Sequence, residues 1–262
     1  PVCKTKIPAT VFEESGKVYM TKRCTDHGEF KEIYWDSYSE YKRAARYKNY
    51  FSNTESGCPY DCGICPNHQS TPMIGIIDVT NRCNLRCPIC FAHSGAAGYV
   101  YEPTLEQIKS MMRNLIDTEP FSTPCLQLSG GEPTVRDDLP EIIRVAKELG
   151  FILVMVNSNG IRMAESLEYC RELKEADVDN VYLQFDGVTP EPYIQARGLN
   201  LLPVKLKAIE NLKEAGLAST VLVPTLVKGV NDDQIGEIIR FAIDNNDCIR
   251  GVNFQPVSIT GR

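Results

Sequence analysis

The stretches CPYDCGICPNHQ, from Cys58, and CNLRCPICF, from Cys83, write the same CxxxCxxC spacing twice. Three thiolates converging from one tight loop can hold three irons of a 4Fe–4S cluster, and with no fourth cysteine nearby one iron stays open to another ligand. Zinc sites favour paired knuckles and close all four positions, so unequal gaps suit zinc poorly. A redox CxxC pair would leave the first cysteine of each triplet without a role. A third site is suggested by Cys3 and by the run CTDHG, with Cys24 and His27. PVC reads as the remainder of a CPxC knuckle, and CPxC followed by C-x2-H can bind Zn2+ or a rubredoxin-like mononuclear iron. Cys125, Cys170 and Cys248 stand alone, where a buried thiol behaves as a small hydrophobe, and His93 reads as an ordinary loop histidine.

From about Met73 apolar strands alternate with amphipathic helices, the pattern of a parallel sheet with helical crossovers. Expected strands are 73–79, 125–129, 151–156, 181–186, 219–226 and 251–257. Thr104 with Gln107 predicts a capping box for a helix whose apolar face holds Leu105, Ile108, Met111, Met112 and Leu115. Asp138 is expected to open the next helix and Gly150 to close it. Pro203 and Gly216 should bound another, and Asn231 should cap the last. Six such units suit either an open doubly wound sheet or an incomplete barrel, and periodicity does not choose. Both put the loops after the strands on one face. Those loops read TNRCNLRCPICF, SGGEPT, NSNG, DGVTPE and KGVND. The expected organisation is a small rubredoxin-like or zinc-ribbon-like module and connecting helix (1–57), an auxiliary iron–sulfur segment (58–72) and the α/β domain (73–262).

The 262 residues are 43% apolar and 24% charged, ordinary for a soluble globular chain, and no apolar run approaches the roughly 20 residues that span a bilayer. A net charge of -6 argues against a general nucleic-acid binder. Eleven cysteines, an odd number clustered at ligand spacings, read as metal binding in a reducing, cytoplasmic setting. The chain starts at Pro1 and stops at FQPVSITGR, straight after a strand, so a longer protein is expected, with room for ligands beyond Arg262.

CNLRCPICF after the first strand, with SGGEP after the second, resembles the radical S-adenosylmethionine (radical SAM) enzymes. The resemblance implies a partial (β/α)6 barrel whose cluster, on Cys83, Cys87 and Cys90, binds SAM and releases a 5′-deoxyadenosyl radical. It implies that Gly130, Gly131 and Glu132 receive the methionine amino group and that Phe91 packs beside adenine. Ser158 and Asn159 fall where the family contacts ribose or carboxylate, and Gln184 and Asp186 are similar candidates. Gly130 and Gly131 would also serve a plain tight turn, and Asp186 a helix cap; their placement at successive strand ends favours the site. Cys58, Cys62 and Cys65 precede the barrel and read as an auxiliary cluster. Its fourth ligand is not identified, His68 and a cysteine beyond Arg262 being candidates and a zinc knuckle the rival.

CTDHG, CPYDCGICPNH, TNRCNLRCPICF, LQFDG and FQPVSITGR together resemble the archaeal tetraether lipid synthases, which join isoprenoid tails by a carbon–carbon bond. Related proteins read as pterin-modifying methyltransferases supply the alternative, which needs a small polar pocket where a lipid enzyme needs a long apolar tunnel. An iron–sulfur electron carrier is the reading of another class, although it requires neither the SGGE loop nor a large α/β domain. The expected partners are a small-molecule or lipid substrate and an external electron donor. Tyr and Trp around EIYWDSYSEYKRAARYKNY leave a peripheral membrane contact open, against the blander reading of a solvated helix.

Overall fold

Alternation of apolar residues along the strands separates a wall that packs on helices from a concave face left to polar groups. The computed structural model describes residues 7–47, 72–92, 94, 98–118 and 122–257, and the chain divides into two units, Pro1–Thr71 and Pro72–Arg262. Cys3, Cys58, Cys62, Cys65, His68 and His93 lie outside the described residues.

In the first unit β1 (Ala9–Glu14), β2 (Lys17–Cys24) and β3 (Gly28–Trp35) form an antiparallel meander followed by α1 (Tyr38–Ala44). Pairing of Cys24 with Gly28 closes the CTDHG turn, and Gly28 takes the left-handed backbone (φ +79°) that the turn demands. The aromatic run predicted as part of a connecting helix is divided between β3 and α1, with Tyr34, Trp35 and Tyr38 exposed.

The second unit contains β4 (Ile74–Thr80), α2 (Leu105–Ile116), β5 (Cys125–Gly130), α3 (Leu139–Glu148), β6 (Leu153–Ser158), α4 (Ile161–Glu165), α5 (Leu167–Glu175), β7 (Asn180–Gln184), α6 (Glu191–Arg197), α7 (Leu202–Glu214), β8 (Thr220–Val223), β9 (Thr225–Leu226), α8 (Ile235–Asp244), β10 (Ile249–Val252) and β11 (Gln255–Pro256). The six-stranded sheet runs β10-β8-β7-β6-β5-β4, with every neighbouring pair parallel. Each new strand joins on the same side as the last. That one-way order is the winding of a barrel rather than of a doubly wound sheet, and it settles what periodicity left open.

Ile77, Val79, Leu126, Leu128, Val154, Val156, Val181, Leu183 and Leu222 face the helices and are buried with Ile108, Met112, Ile142, Ile143, Leu173 and Leu212. Each such side chain contributes about 1.5–3 kcal/mol on burial, so this wall is the main stabiliser. The intervening positions Ile76, Asp78, Gln127, Ser129, Asn157, Tyr182, Gln184 and Val223 line a cavity on the concave side.

Local signals worked in part. Thr104 and Gln107 form both halves of the capping box. Asp138 stands at the start of α3, yet its side chain makes no cap; it accepts instead from Arg136 at 2.8 and 2.6 Å. Asn231 likewise does not cap: its Oδ1 accepts from Val227 N–H at 2.8 Å, and its amide donates to the Asp186 and Thr225 carbonyls. In both cases the oxygen a cap needs is already taken. The single strands expected at 219–226 and 251–257 are each split, into β8 and β9 and into β10 and β11, because Pro224 carries no N–H for the ladder. Among the described residues no helix is long and apolar enough to cross a membrane.

Candidate active site

Cys83, Cys87 and Cys90 belong to the loop leaving β4, and all three line a cavity of about 500 Å3 over the strand ends. The loop is held by its neighbours through three ties. Gly131 N–H donates to the Thr80 carbonyl (2.8 Å) and Glu132 N–H to the Arg82 carbonyl (2.9 Å), prolonging the β4–β5 pairing into the loops. Asn159 Nδ2 donates to Asn84 Oδ1 at 2.7 Å. At the far end Ile89 N–H donates to the Ala196 carbonyl (3.2 Å), and Arg197 Nη1 donates to the Ile89 carbonyl (2.9 Å).

The first tie explains the paired glycines. Gly130 sits at φ +126°, and a Cβ there would lie 2.1 Å from the Thr80 carbonyl oxygen; a Cβ on Gly131 would lie 2.3 Å from that of Arg82. Two backbones approach so closely that neither position has room for a side chain.

The sulfurs suit a cluster. A tetrahedral ion with metal–sulfur bonds of about 2.3 Å needs its sulfurs about 4 Å apart, and Cys83, Cys87 and Cys90 are not among the described groups whose ligand atoms all fall within 4.8 Å of one another. Burial pushes the Cys83 thiol up to about 11 and raises that of Cys87 as well. Bare thiolates are therefore disfavoured here at neutral pH, and iron is what would keep these ligands deprotonated. When bound, such a cluster with SAM supplies a 5′-deoxyadenosyl radical. The chain's own part would be to offer it three thiolates and to shape the cavity they line.

The remaining predicted residues fall into two groups. Phe91, Gly130, Gly131, Glu132, Ser158, Asn159 and Gln184 line the cavity with the cysteines. Glu132 is nevertheless only 2% exposed, and its carboxylate accepts from Thr134 N–H (3.2 Å), Thr134 Oγ1 (2.6 Å), Ser158 Oγ (2.8 Å) and Asn159 N–H (2.7 Å). Four donors use the capacity of a carboxylate. Ser158 and Asn159, expected to meet ribose or carboxylate, are thereby also fasteners between the loops after β5 and β6. Asp186 departs from expectation. It is fully buried outside the cavity lining, because Arg197 takes both its oxygens, at 2.7 and 2.8 Å.

Sequence reasoning missed Asn84, Arg197 and Lys205. Lys205 is wholly buried; its ammonium donates to the Asn159 carbonyl and to Gln184 Oε1. A signal existed. Lys205 opens the stripe Lys205, Ala208, Ile209, Leu212 that α7 buries, and Arg197 shares the buried stripe of α6 with Tyr193 and Ala196. A cation on an apolar helical stripe marks a buried charge with an assignment.

Burial depresses Lys205 from 10.5 to about 7, Asp186, Glu132 and Cys87 opposing the shift and Arg197 adding to it. Between those values the unfolded chain holds a proton that the folded chain lacks, so this group makes stability rise with pH from about 7 towards 10.5. The raised thiols of Cys83 and Cys170 act oppositely above about 9. The effect is therefore read as a difference: Lys205→Met should remove a pH-dependent component of a few kcal/mol, measured from urea midpoints of the two proteins at pH 7 and pH 9. Parallel pH profiles would show that Lys205 stays charged.

In the first unit Cys24 Sγ and His27 Nδ1 lie 3.4 Å apart, and the Asp26 carboxylate joins them within 4.8 Å. The sequence reading named Cys24 and His27 but not Asp26.

Residues 77–242 match the family model for the Radical SAM superfamily, and the chain belongs to that superfamily; its cofactors are a 4Fe–4S cluster and SAM. Residues 1–36 match the HMPTM N-terminal zinc ribbon domain. The chain is 54% identical over 268 residues to a 7,8-dihydro-6-hydroxymethylpterin dimethyltransferase of Methanocaldococcus jannaschii, an alignment that takes in 100% of this chain and 53% of the relative. It is 30% identical over 188 residues to a GTP 3′,8-cyclase of Listeria monocytogenes, with 71% of this chain and 55% of the relative covered. The chain thus spans about half the length of the curated relatives it matches. Among solved structures it is similar in fold to SuiB of Streptococcus suis, at TM-score 0.60 and 15% identity over 97% of this chain and 64% of that one. These curated relatives are named for pterin and nucleotide substrates, where the sequence reading had favoured a tetraether lipid synthase.

Proposed function

We propose that this chain carries the radical-generating part of an enzyme that methylates a pterin-type heterocycle. The observation that carries the reading is the floor of the cavity. Gln127 Nε2 donates to Asn157 Oδ1 and Asn157 Nδ2 to Ser129 Oγ at 3.1 Å, with Tyr182 and Gln184 on the neighbouring strand. Side-chain amides in a row suit the alternating donors and acceptors of a planar nitrogen heterocycle. An isoprenoid tail makes no use of so polar a floor, so the lipid reading loses support. The 54% identity to a pterin dimethyltransferase points the same way.

In this reading Cys83, Cys87 and Cys90 hold the cluster that receives an electron from an external donor. Phe91 and the Gly130–Glu132 loop shape the SAM pocket, and the amide row orients the substrate. Cys58, Cys62 and Cys65 are assigned on sequence grounds to an auxiliary cluster, and Cys24, Asp26 and His27, with Cys3, to the metal of the N-terminal module.

The test is anaerobic incubation of the intact, iron-loaded protein with SAM, dithionite and 7,8-dihydro-6-hydroxymethylpterin. Release of 5′-deoxyadenosine with a pterin heavier by one or two methyl groups is expected. No release despite full iron loading would favour an electron carrier, and release without pterin modification would favour another substrate. Gln127→Leu should raise the KM for the pterin about tenfold, the equivalent of one hydrogen bond, while leaving substrate-free 5′-deoxyadenosine release within about twofold of the parent.

A further inference from the structure

The Asp186–Arg197 pair is absorbed by no step above, and it is the most deeply buried ion pair in the described residues, with side-chain exposures of 0% and 9%. Arg197 spends its guanidinium on three partners. Nε and Nη2 form a fork on Asp186; Nη2 also donates to Thr225 Oγ1 at 3.0 Å; Nη1 donates to the Ile89 carbonyl between Cys87 and Cys90. The same residue lines the cavity together with Cys87 and Cys90. Asp186 is held from behind by Thr225 N–H (3.2 Å) and by the Gln184 amide, so the fork cannot swing away.

We propose that Arg197, aligned by Asp186, is a positioning residue of the cysteine loop whose fixed positive charge beside Cys87 eases reduction of the cluster held there. A permanent cation close to an iron ligand stabilises the form carrying one more electron, and the low-dielectric surroundings make that attraction strong. The Asp186 carboxylate carries the opposite sign but lies outside the cavity lining, to which Arg197 and Cys87 both belong. Arginine suits the task because it stays charged and its planar fork serves a carboxylate and a carbonyl together.

The experiment uses the intact protein, loaded anaerobically with iron and sulfide, and reads the midpoint potential and electron paramagnetic resonance spectrum of the reduced cluster alongside iron content. Arg197→Met should lower the reduced-to-oxidised ratio at a fixed donor potential by about tenfold, some 59 mV for one electron. Asp186→Asn should move the potential the other way, since it removes the opposing charge. Arg197→Lys should keep the potential near the parent's while losing iron faster to a chelator, because the ammonium lacks the fork. Opposite shifts from the two partners are a signature that a purely structural pair would not give. Unchanged potentials and spectra at full iron loading would overturn the proposal. So would failure of all three variants to hold iron, Arg197→Lys included, since that would make the pair a scaffold support alone.

Discussion

Cys87→Ala is expected to reduce 5′-deoxyadenosine release at least about 100-fold and to cut iron held by the Cys83–Cys90 loop to a residue, because one of three anchors disappears. Changing a partner behind a metal ligand already costs 10–100-fold in affinity, and removing the ligand itself exceeds that. Cys87 is the informative position. It is the middle of the three, in the loop that Arg197 anchors through the Ile89 carbonyl, so its loss removes a ligand while the loop itself stays held. The control is Cys170→Ala: Cys170 is fully buried against Met163 and should leave release within about twofold. The measurement is anaerobic product release per iron. Retention of parental release by Cys87→Ala would remove the loop from the chemistry.

Gly130→Ala should lower the melting temperature by about 6–20 °C and release iron, although it adds a single methyl. Forcing a side chain to the φ of +126° observed at Gly130 costs about 1–3 kcal/mol. The new Cβ would press on the Thr80 carbonyl at 2.1 Å, so the loop must also give up the Gly131 and Glu132 bonds to Thr80 and Arg82, worth about 1 kcal/mol each. A total of about 3–5 kcal/mol corresponds to that shift for a unit of this size. Because Arg82 precedes Cys83 directly, the displacement passes to the ligand loop. Calorimetry with iron analysis decides it: an unshifted transition with full iron would mean that the two loops separate at no cost.

Both effects arise from one arrangement, in which loops distant in sequence hold one another by backbone. Glu132 illustrates it. Read from the chain alone it is the acid of a glycine-rich ligand loop; in the fold its oxygens fasten Thr134, Ser158 and Asn159. Burial raises its pKa against the pull of those four donors. Asp186 is the sharper case, since its partner lies eleven positions along the chain and its carboxylate stays outside the lining of the cavity where the residue was expected.

Much of the architecture was written in local pattern. Strands with period two, the capping box at Thr104 and Gln107 and the spacing of Cys83, Cys87 and Cys90 are short-range features, set by side-chain geometry over a few residues, and they placed five of the strand-end loops on one face. What pattern could not supply was the winding order of the sheet and the partners of the buried charges. The apolar stripes of α6 and α7 mark Arg197 and Lys205, but only packing gives them Asp186 and the Ile89 carbonyl, and Gln184 and the Asn159 carbonyl. The sequence by itself determined the cysteine spacing and the strand-and-helix rhythm, because both depend on near neighbours. Only the tertiary structure decided which polar groups meet the cavity and which are consumed in fastening it, because hydrogen bonds across 11 to 75 residues form only once the strands lie side by side.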